Sequence, residues 1–314
     1  MKQIAFIISL PRSGSTLLQK LLHNHPEIAT SAENWILLSM CYALFEKDML
    51  APYNHRLAMT AMRDLQDRAG IDLDLQVNEF ATRVFDQMCR PGQTFVDKTP
   101  RNYLIIEHLM RVFPNAKFIV LKRNPIQVYA SILSSWRNNR FRGHYRDWID
   151  VHVGPRRIAT TLKLLRNRAH VVDYENLVRS PNEVLLGVQE YLAIKPVSDL
   201  HEMFDPSLRL GVLGDQKGHR FADVNNSSVD SWRGVFATHL RKRYIRRYVM
   251  ELARDGTLQD LGYERDELIE EIDKIQAGWE HTLVDIWDIN VSHLVRRWNL
   301  NVLLKPDYSS RFYT

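Results

Sequence analysis

The sequence is poor in the features that build crosslinked or membrane-spanning proteins. Its 314 residues include two cysteines, Cys41 and Cys89, which lie far apart and form no C-x-x-C motif. The pattern therefore predicts neither a disulfide framework nor a zinc site. No segment reaches the ~20 apolar residues of a membrane helix, and the apolar run at 4–8 is too short for a signal peptide. These absences predict a cytoplasmic protein without a membrane span.

The charge is mildly positive, with 42 basic and 37 acidic residues and a net charge of +5. A surplus of this size suits an anionic ligand better than it demands nucleic acid. The densest basic stretch is "RKRYIRRY" at 241–248. Helical spacing distributes these charges around the helix, so the stretch predicts a solvated face and no nucleic-acid partner.

The chain alternates short apolar runs with helical patterns, which is typical of a three-layer α/β domain with a central parallel sheet. Four strands are predicted, at 3–9, 94–98, 117–122 and 169–174. A helical insertion is expected at about 33–90. We assign residues 1–262 to this domain and residues 263–314 to a C-terminal helical extension.

The first strand leads into "SLPRSGST", which resembles a phosphate-binding loop without its lysine. A P-loop reads G-x-x-x-x-G-K-S/T. Aligned on Gly14, Ser9 replaces the first glycine, Ser15 replaces the lysine and Thr16 matches the final position. Gly14 permits a sharp turn, and backbone amides at the start of the next helix favour an anion. The missing lysine indicates that no γ-phosphate is handled.

A second basic pattern follows the third predicted strand, in "FIVLKRNPIQVYASIL". Arg123 ends the strand, Pro125 starts a helix, and Ser131 lies about two turns into it. An arginine leaving a strand and a serine on the adjoining helix can hold one phosphate between them.

These motifs resemble the sulfotransferases that use 3′-phosphoadenosine-5′-phosphosulfate (PAPS). "PRSGSTLLQKLLHNHPEI" is similar to their 5′-phosphosulfate loop and "KFIVLKRNPIQVYASIL" to their 3′-phosphate motif. "VVDYENLVRSPNEVLLGVQEYLAI" resembles a downstream segment of the family. "FVDKTPRNYLIIEHLMRVFPNAKFI" is most similar to the tyrosylprotein sulfotransferases and their bacterial relatives.

The resemblance implies a transferase that moves a sulfuryl group from PAPS to a hydroxyl acceptor without a metal. It implies that Lys98 stabilises the leaving group and that Glu33 is the catalytic base. The residues it implies for donor binding are Arg12, Ser13, Gly14, Ser15, Thr16, Arg123 and Ser131. The acceptor class stays open among glycans, lipids, peptidyl groups and carrier-bound chains.

Several alternatives remain open. His23 and His25 are rival bases. A P-loop kinase with a variant loop would need magnesium, and "FIVLKR" lacks a strand-ending aspartate to hold it. A non-catalytic nucleotide-binding module is the third reading. The stretch at 214–232 resembles the loop that covers the donor in the family, with Lys217 or His219 as a phosphate contact.

The C-terminal extension carries apolar residues at helical steps. They are Leu268, Ile272, Ile275, Trp279, Leu283, Ile286 and Ile289. One helical stripe of this length must be buried against something. The alternatives are packing on its own domain, a homodimer contact or a roof over the acceptor pocket.

Overall fold

The centre of the protein is a sheet of parallel strands. The computed structural model describes residues 1–46, 51, 53–203, 205, 208, 210 and 230–298. The strands in this part of the chain are β1 (Gln3–Ser9), β2 (Ile28–Thr30), β3 (Thr94–Asp97), β4 (Lys117–Lys122) and β5 (Ala169–Asp173). Their order across the sheet is β2-β3-β1-β4-β5, and all four neighbouring pairs are parallel.

The central strand β1 is buried on both faces because apolar residues occupy both sides of its pleat. Phe6 and Ile8 pack into one hydrophobic cluster, whereas Ala5 and Ile7 pack into another on the opposite face. All four side chains have no exposed surface. A strand in this setting reads as a continuous apolar run, which explains why β1 could be predicted from its sequence.

Helices cover both faces of the sheet, so the predicted three-layer α/β arrangement is confirmed. The α-helices in the described part of the chain are α1 (Ser15–His23), α2 (Ile36–Phe45), α3 (His55–Ala69), α4 (Leu73–Asp86), α5 (Ile106–Val112), α6 (Pro125–Trp136), α7 (Gly154–Leu165), α8 (Tyr174–Arg179), α9 (Pro181–Tyr191), α10 (Trp232–Val235), α11 (His239–Arg254), α12 (Thr257–Asp260), α13 (Arg265–Asp273) and α14 (Thr282–Arg297). In that same part, no helix combines the length and hydrophobicity that a membrane crossing requires.

The strand order places β1 at the point where the chain changes direction across the sheet. From β1 the chain passes through α1 to β2 at one edge, returns to β3 beside β1, and then crosses to β4 on the other side. In open α/β sheets, ligands bind in the crevice at such a point, outside the carboxyl ends of the strands. The loop after β1 opens into this crevice, between the chain segments that leave β3 and β4.

Among the elements that were not expected from the sequence are β2 and α7. The edge strand β2 has three residues, too few to show a hydrophobic period. Helix α7 lies in a region to which we had assigned no element. The expected helical insertion at 33–90 contains α2, α3 and α4. The division of the chain at residue 262 stays a prediction.

The predicted C-terminal stripe is divided between two helices with different surroundings. Leu268, Ile272 and Ile275 are buried in the same hydrophobic cluster as Phe6 and Ile245. Within one chain most of the second half is exposed, so packing on its own domain is contradicted for those residues. Its exposed members are Trp279 (74 %), Leu283 (82 %) and Ile286 (42 %). The chain turns between α13 and α14, so the helical phase is not continuous.

We expect Ile272→Ala to lower the free energy of unfolding by about 2–5 kcal/mol, because it opens a cavity in the main core. Ile272 has no exposed surface. The control is Leu57→Ala on α3, whose leucine is 67 % exposed and whose replacement should stay within about 0.5 kcal/mol of wild type. Urea denaturation followed by circular dichroism measures both. Equal, small effects would show that α13 does not belong to the main core.

Candidate functional site

Polar and charged residues follow the carboxyl end of every strand in the sheet. Because the strands are parallel, these ends meet along one edge. The residues in question are Ser13 to Thr16 after β1, Glu33 after β2, Lys98 after β3, Arg123 after β4 and Tyr174 after β5. The edge therefore gathers most of the predicted site residues, although they are widely separated in the chain.

The loop after β1 contains two residues in the left-handed region, Arg12 (φ 67°) and Gly14 (φ 98°). A Cβ atom built on Gly14 would lie 2.3 Å from Cδ2 of Tyr174. Glycine is thus required both for the backbone conformation and for the close approach of this aromatic ring. Tyr174 itself is buried, with 6 % of its surface exposed, and its ring packs against the turn.

Helix α1 starts directly after this turn, and its first backbone donors have no partner in the part of the chain that the structure describes. In the described residues no side chain caps α1, no acidic residue lies in its first turn, and the N–H groups of Ser15, Thr16 and Leu17 take part in no hydrogen bond. The Ser13 N–H differs, because it donates to the Leu10 carbonyl at 3.3 Å. Free N–H groups at the positive end of a helix are suited to bind an anion.

Lys98 and Glu33 form an ion pair beside this helix end. The Lys98 ammonium lies 2.9 Å from Oε1 of Glu33 and 3.4 Å from Oγ1 of Thr16. The lysine side chain is 1 % exposed and the glutamate 16 %. A lysine from the neighbouring strand therefore supplies positive charge next to the loop that lacks its own. Removal of one partner would leave a buried charge without compensation.

Asp97 fixes the two segments that carry this ion pair. Its carboxylate accepts hydrogen bonds from Nδ2 of Asn34 at 2.6 Å and from Nδ2 of Asn102 at 2.8 Å. Burial raises the pKa of the Asp97 carboxyl to about 6, and the hydrogen bonds oppose that rise. Asn34 follows Glu33 and Asp97 precedes Lys98, so this contact links the segment after β2 to the end of β3.

Arg12 connects the loop to helix α6. Its Nε donates to Oγ of Ser131 at 3.3 Å, and its Nη2 donates to Oγ of Ser135 at 3.1 Å. The Arg12 carbonyl accepts a hydrogen bond from Nη1 of Arg123 at 3.1 Å. The structure thus brings Arg12, Arg123 and Ser131 together at one end of the loop. Ser135 was not among the predicted residues.

The guanidinium of Arg123 lies over the Tyr174 ring, 4.0 Å from the ring centroid. Its Nε also donates to Oε1 of Gln127 at 3.0 Å. Burial lowers the pKa of Arg123, whose residue surface is 9 % exposed. The Tyr174 ring therefore contacts both the glycine turn and the arginine.

The rival histidines lie away from the loop. His23 is the last residue of the nine-residue helix α1, about 12 Å along the axis from its first residue. His25 is buried, and both ring nitrogens are engaged: Nδ1 accepts from the Glu27 N–H, and Nε2 bonds to the Lys195 carbonyl at 2.8 Å. Residues Lys217 and His219, predicted to contact phosphate, lie outside the described residues.

Sequence reasoning missed the two residues that organise the site, Asp97 and Tyr174. Asp97 precedes Lys98 in "VDKTP", and Tyr174 opens "YENL" in a segment that had been quoted for its family resemblance. An acidic residue at the end of an otherwise apolar strand was the available signal for Asp97. Nothing local to Tyr174 indicates that its ring contacts Gly14, because this contact spans the sheet.

Comparisons with known proteins agree with this arrangement. A family model described as "Sulfotransferase family" matches residues 5–199. Nodulation protein NoeE of Sinorhizobium fredii is 30 % identical over 285 residues, which cover 83 % of this chain and 66 % of that protein. Protein-tyrosine sulfotransferase 2 of Gallus gallus is 26 % identical over 203 residues, 61 % of this chain and 51 % of that protein. The chain thus spans between about half and two thirds of these relatives.

Among solved structures, the sulfotransferase domain from the curacin biosynthetic pathway has a TM-score of 0.55 to this chain. The match has 20 % sequence identity and covers 81 % of this chain and 98 % of that domain. This likeness shows a shared fold.

Because the Tyr174 ring packs against Gly14, we expect Gly14→Ala to lower the free energy of unfolding more than the same change at a matched glycine elsewhere. Gly92 also has a positive φ, 84°, but a Cβ there would meet nothing within 4 Å. Gly92→Ala therefore reports the backbone strain alone. Compared with Gly92→Ala, Gly14→Ala should lower the free energy of unfolding by about 1–3 kcal/mol more, which is the usual cost of overpacking. Chemical denaturation measures both. Equal losses would contradict the close contact with Tyr174.

Proposed function

The chain belongs to the sulfotransferase family, and from this premise we propose that it transfers a sulfuryl group from PAPS to a hydroxyl acceptor, releasing 3′-phosphoadenosine-5′-phosphate (PAP). One observation carries the proposal. Lys98 reaches Thr16 from the neighbouring strand and pairs with Glu33, so a cation and a carboxylate lie together at the loop that lacks the P-loop lysine.

The residues present fit a nucleotide with phosphates at both its 5′ and 3′ positions. The N–H groups of Ser15, Thr16 and Leu17, which have no hydrogen-bond partner among the described residues, suit the 5′ end, together with Ser13, Gly14 and Lys98. Arg12, Arg123 and Ser131 suit the 3′-phosphate, because they lie together at the far side of the loop. The donor, when bound, supplies an activated sulfuryl group on its 5′-phosphate.

We assign the chemistry to Lys98 and Glu33. Sulfuryl transfer resembles phosphoryl transfer, in which catalysis consists mainly of positioning and of neutralising the charge that develops on the leaving oxygen. Lys98 supplies that neutralisation. Glu33 accepts the proton from the acceptor hydroxyl as a general base.

The ion pair also explains how Glu33 becomes available. The Lys98 ammonium lies 2.9 Å from Oε1 of Glu33. An anion near Thr16 competes with Glu33 for this ammonium, which leaves a carboxylate oxygen free to accept a proton. In this account the donor site and the base are coupled through one lysine, and no metal is needed.

A kinase with a variant loop is the runner-up, and one observation favours it. Although β4 ends without an aspartate, β3 ends in Asp97, beside β1. Against this role, both Asp97 oxygens accept hydrogen bonds from asparagines, which occupy them in the absence of a cation.

The acceptor hydroxyl stays open within this proposal. One relative is named as a protein-tyrosine sulfotransferase, which makes the tyrosine hydroxyl one class to test beside glycan, lipid and carrier-bound hydroxyls. Helices α2 to α4 follow the Glu33 segment in the chain and are the part of the fold that we propose to shape this specificity.

The first prediction concerns the donor. PAP should raise the melting temperature more than AMP does, because AMP lacks the 3′-phosphate. Arg123→Ala should lower the affinity for PAP by about 10- to 100-fold, the loss expected for charged hydrogen bonds. The affinity for AMP should stay nearly unchanged. Thermal shift and isothermal titration calorimetry measure these effects.

The matched control for this experiment is Arg68→Ala on α3, whose side chain is 74 % exposed and lies outside the site. It should bind PAP like wild type. Equal stabilisation by PAP and AMP would remove the 3′-phosphate assignment. Stabilisation by ATP only with magnesium would favour the kinase.

The second prediction concerns the ion pair. Glu33→Gln should lower turnover by about 10²–10⁴-fold, as for loss of a general base, and should retain PAP binding because the amide oxygen can still accept from Lys98. Lys98→Gln should lower turnover and also lower the affinity for PAP. Turnover is followed as conversion of PAPS to PAP with the best acceptor from a hydroxyl screen.

Glu46→Gln serves as the control, because Glu46 pairs with His108 away from the loop; it should behave as wild type. Wild-type turnover in Glu33→Gln, with the fold intact, would assign the base to another residue.

A further inference from the structure

Helix α14 is attached to the rest of the protein through its polar face. Asp285 has no exposed surface, and Asp288 and Ser292 are 4 % and 6 % exposed. These residues recur at steps of three and four, so they occupy one side of the helix. An amphipathic helix of a globular protein normally turns its apolar side toward the core, whereas the buried side of α14 is mostly polar, with Val295 as its buried apolar residue.

Specific charged contacts maintain this orientation. Arg241 on α11 makes two hydrogen bonds to the Asp285 carboxylate, at 2.6 and 2.8 Å. Arg140 donates to Asp288 at 2.9 Å, and the Ser292 hydroxyl donates to the Phe141 carbonyl at 3.2 Å. The Arg241–Asp285 pair is buried. A buried ion pair adds little net stability but can fix one arrangement, here the direction in which α14 presents its other face.

The opposite face of α14 is apolar and exposed. Three of its residues are Leu283, Trp287 and Trp298, which are 82 %, 71 % and 66 % exposed. One continuous stripe of exposed apolar residues on this helix consists of Leu283, Val284, Trp287, Val291, Leu294 and Trp298. A contiguous apolar patch of this kind on a protein surface marks a site of interaction.

The stripe is large enough for a stable interface. With about 150–250 Å² for a full aromatic side chain, the two exposed tryptophans contribute roughly 300 Å², and the four aliphatic residues bring the patch to roughly 600 Å². A standard protein interface buries about 800 Å² on each partner. The stripe, together with a rim of neighbouring polar groups, therefore has about the area that one partner contributes to a specific interface.

The order of residues along the stripe is self-complementary. Leu283 and Trp298 lie at equal distances from the midpoint between Asn290 and Val291, and so do Trp287 and Leu294. If a second α14 runs antiparallel about a two-fold axis at this midpoint, each tryptophan lies opposite a leucine. A two-fold interface requires such a patch, because the same surface serves both partners.

We propose that α14 joins two copies of this chain in an antiparallel, two-fold symmetric dimer through this stripe. The proposal is independent of the donor chemistry.

The charges on α14 favour a protein partner over a lipid surface. Helices that lie on anionic membranes carry lysine and arginine beside their apolar face. The sequence from Thr282 to Ser292 contains neither residue, and the first arginines of the helix, Arg296 and Arg297, stand in its last turn. The Arg296 guanidinium is moreover stacked on Trp148, 3.7 Å from the ring centroid.

The test begins with the mass of the full chain in solution. Light scattering and sedimentation velocity should give twice the protomer mass, with dissociation on dilution. Trp287→Asp and Leu294→Asp should each weaken the dimer by about 30-fold or more, as replacement of a central anchor does, without changing the melting temperature of the protomer. Leu65→Asp on α3, where the leucine is 52 % exposed, is the control and should leave the dimer intact.

Cysteine crosslinking tests the antiparallel register. In a Cys89→Ser background, with Cys41 buried, Val291→Cys places two thiols beside the two-fold axis and should form a disulfide-linked dimer on mild oxidation. Leu283→Cys should not, because its two copies lie about 22 Å apart along the helices. Efficient crosslinking through Leu283→Cys would contradict the antiparallel arrangement.

A wild-type chain that is monomeric at all concentrations overturns the proposal. If that monomer then sediments with phosphatidylglycerol vesicles and Trp287→Asp abolishes this, the stripe belongs to a lipid surface. If it dimerises only after Leu303 and Leu304 are replaced by aspartate, the stripe belongs to the segment 299–314. A dimer that survives both stripe variants also excludes the interface proposed here.

Discussion

The parallel sheet imposes the constraint on which the rest of the site depends. Five strands run in one direction, so the chain leaves all of them along one edge. With β1 between β3 and β4, the turn after β1 is flanked by Lys98 on one side and Arg123 on the other. The lysine that is missing from the loop is thus compensated by cations that come from the neighbouring strands.

Two buried groups hold these cations in position, and each does so by a different interaction. Asp97 connects the segments of Glu33 and Lys98 through hydrogen bonds from Asn34 and Asn102. Tyr174 supports Gly14 by close packing and Arg123 by stacking. Because both are buried, the ion pair and the loop are organised in advance, and such organisation would lower the entropic cost of the binding and reaction that we propose.

The sequence was sufficient for features whose cause is local. The apolar run of β1, Gly14 and the start of α1 lie within one short segment, and their pattern is readable there. The contact of Asp97 with Asn34 joins residues 63 positions apart, and β2 is too short to have a period. The orientation of α14 could not be predicted either, because hydrophobic periodicity places its apolar side inward, whereas Arg241 and Arg140 hold Asp285 and Asp288 there.

The central claim is that this loop, without its own lysine, binds the 5′ end of a 3′,5′-bisphosphate nucleotide with the help of Lys98. A crystal structure of the chain with PAP tests it most directly. The account predicts the 5′-phosphate within hydrogen-bond distance of the Ser15 and Thr16 amides and of the Lys98 ammonium, and the 3′-phosphate in contact with Arg123 and Ser131. A nucleotide that binds away from this edge, or with its 3′-phosphate directed into solvent, would contradict the account.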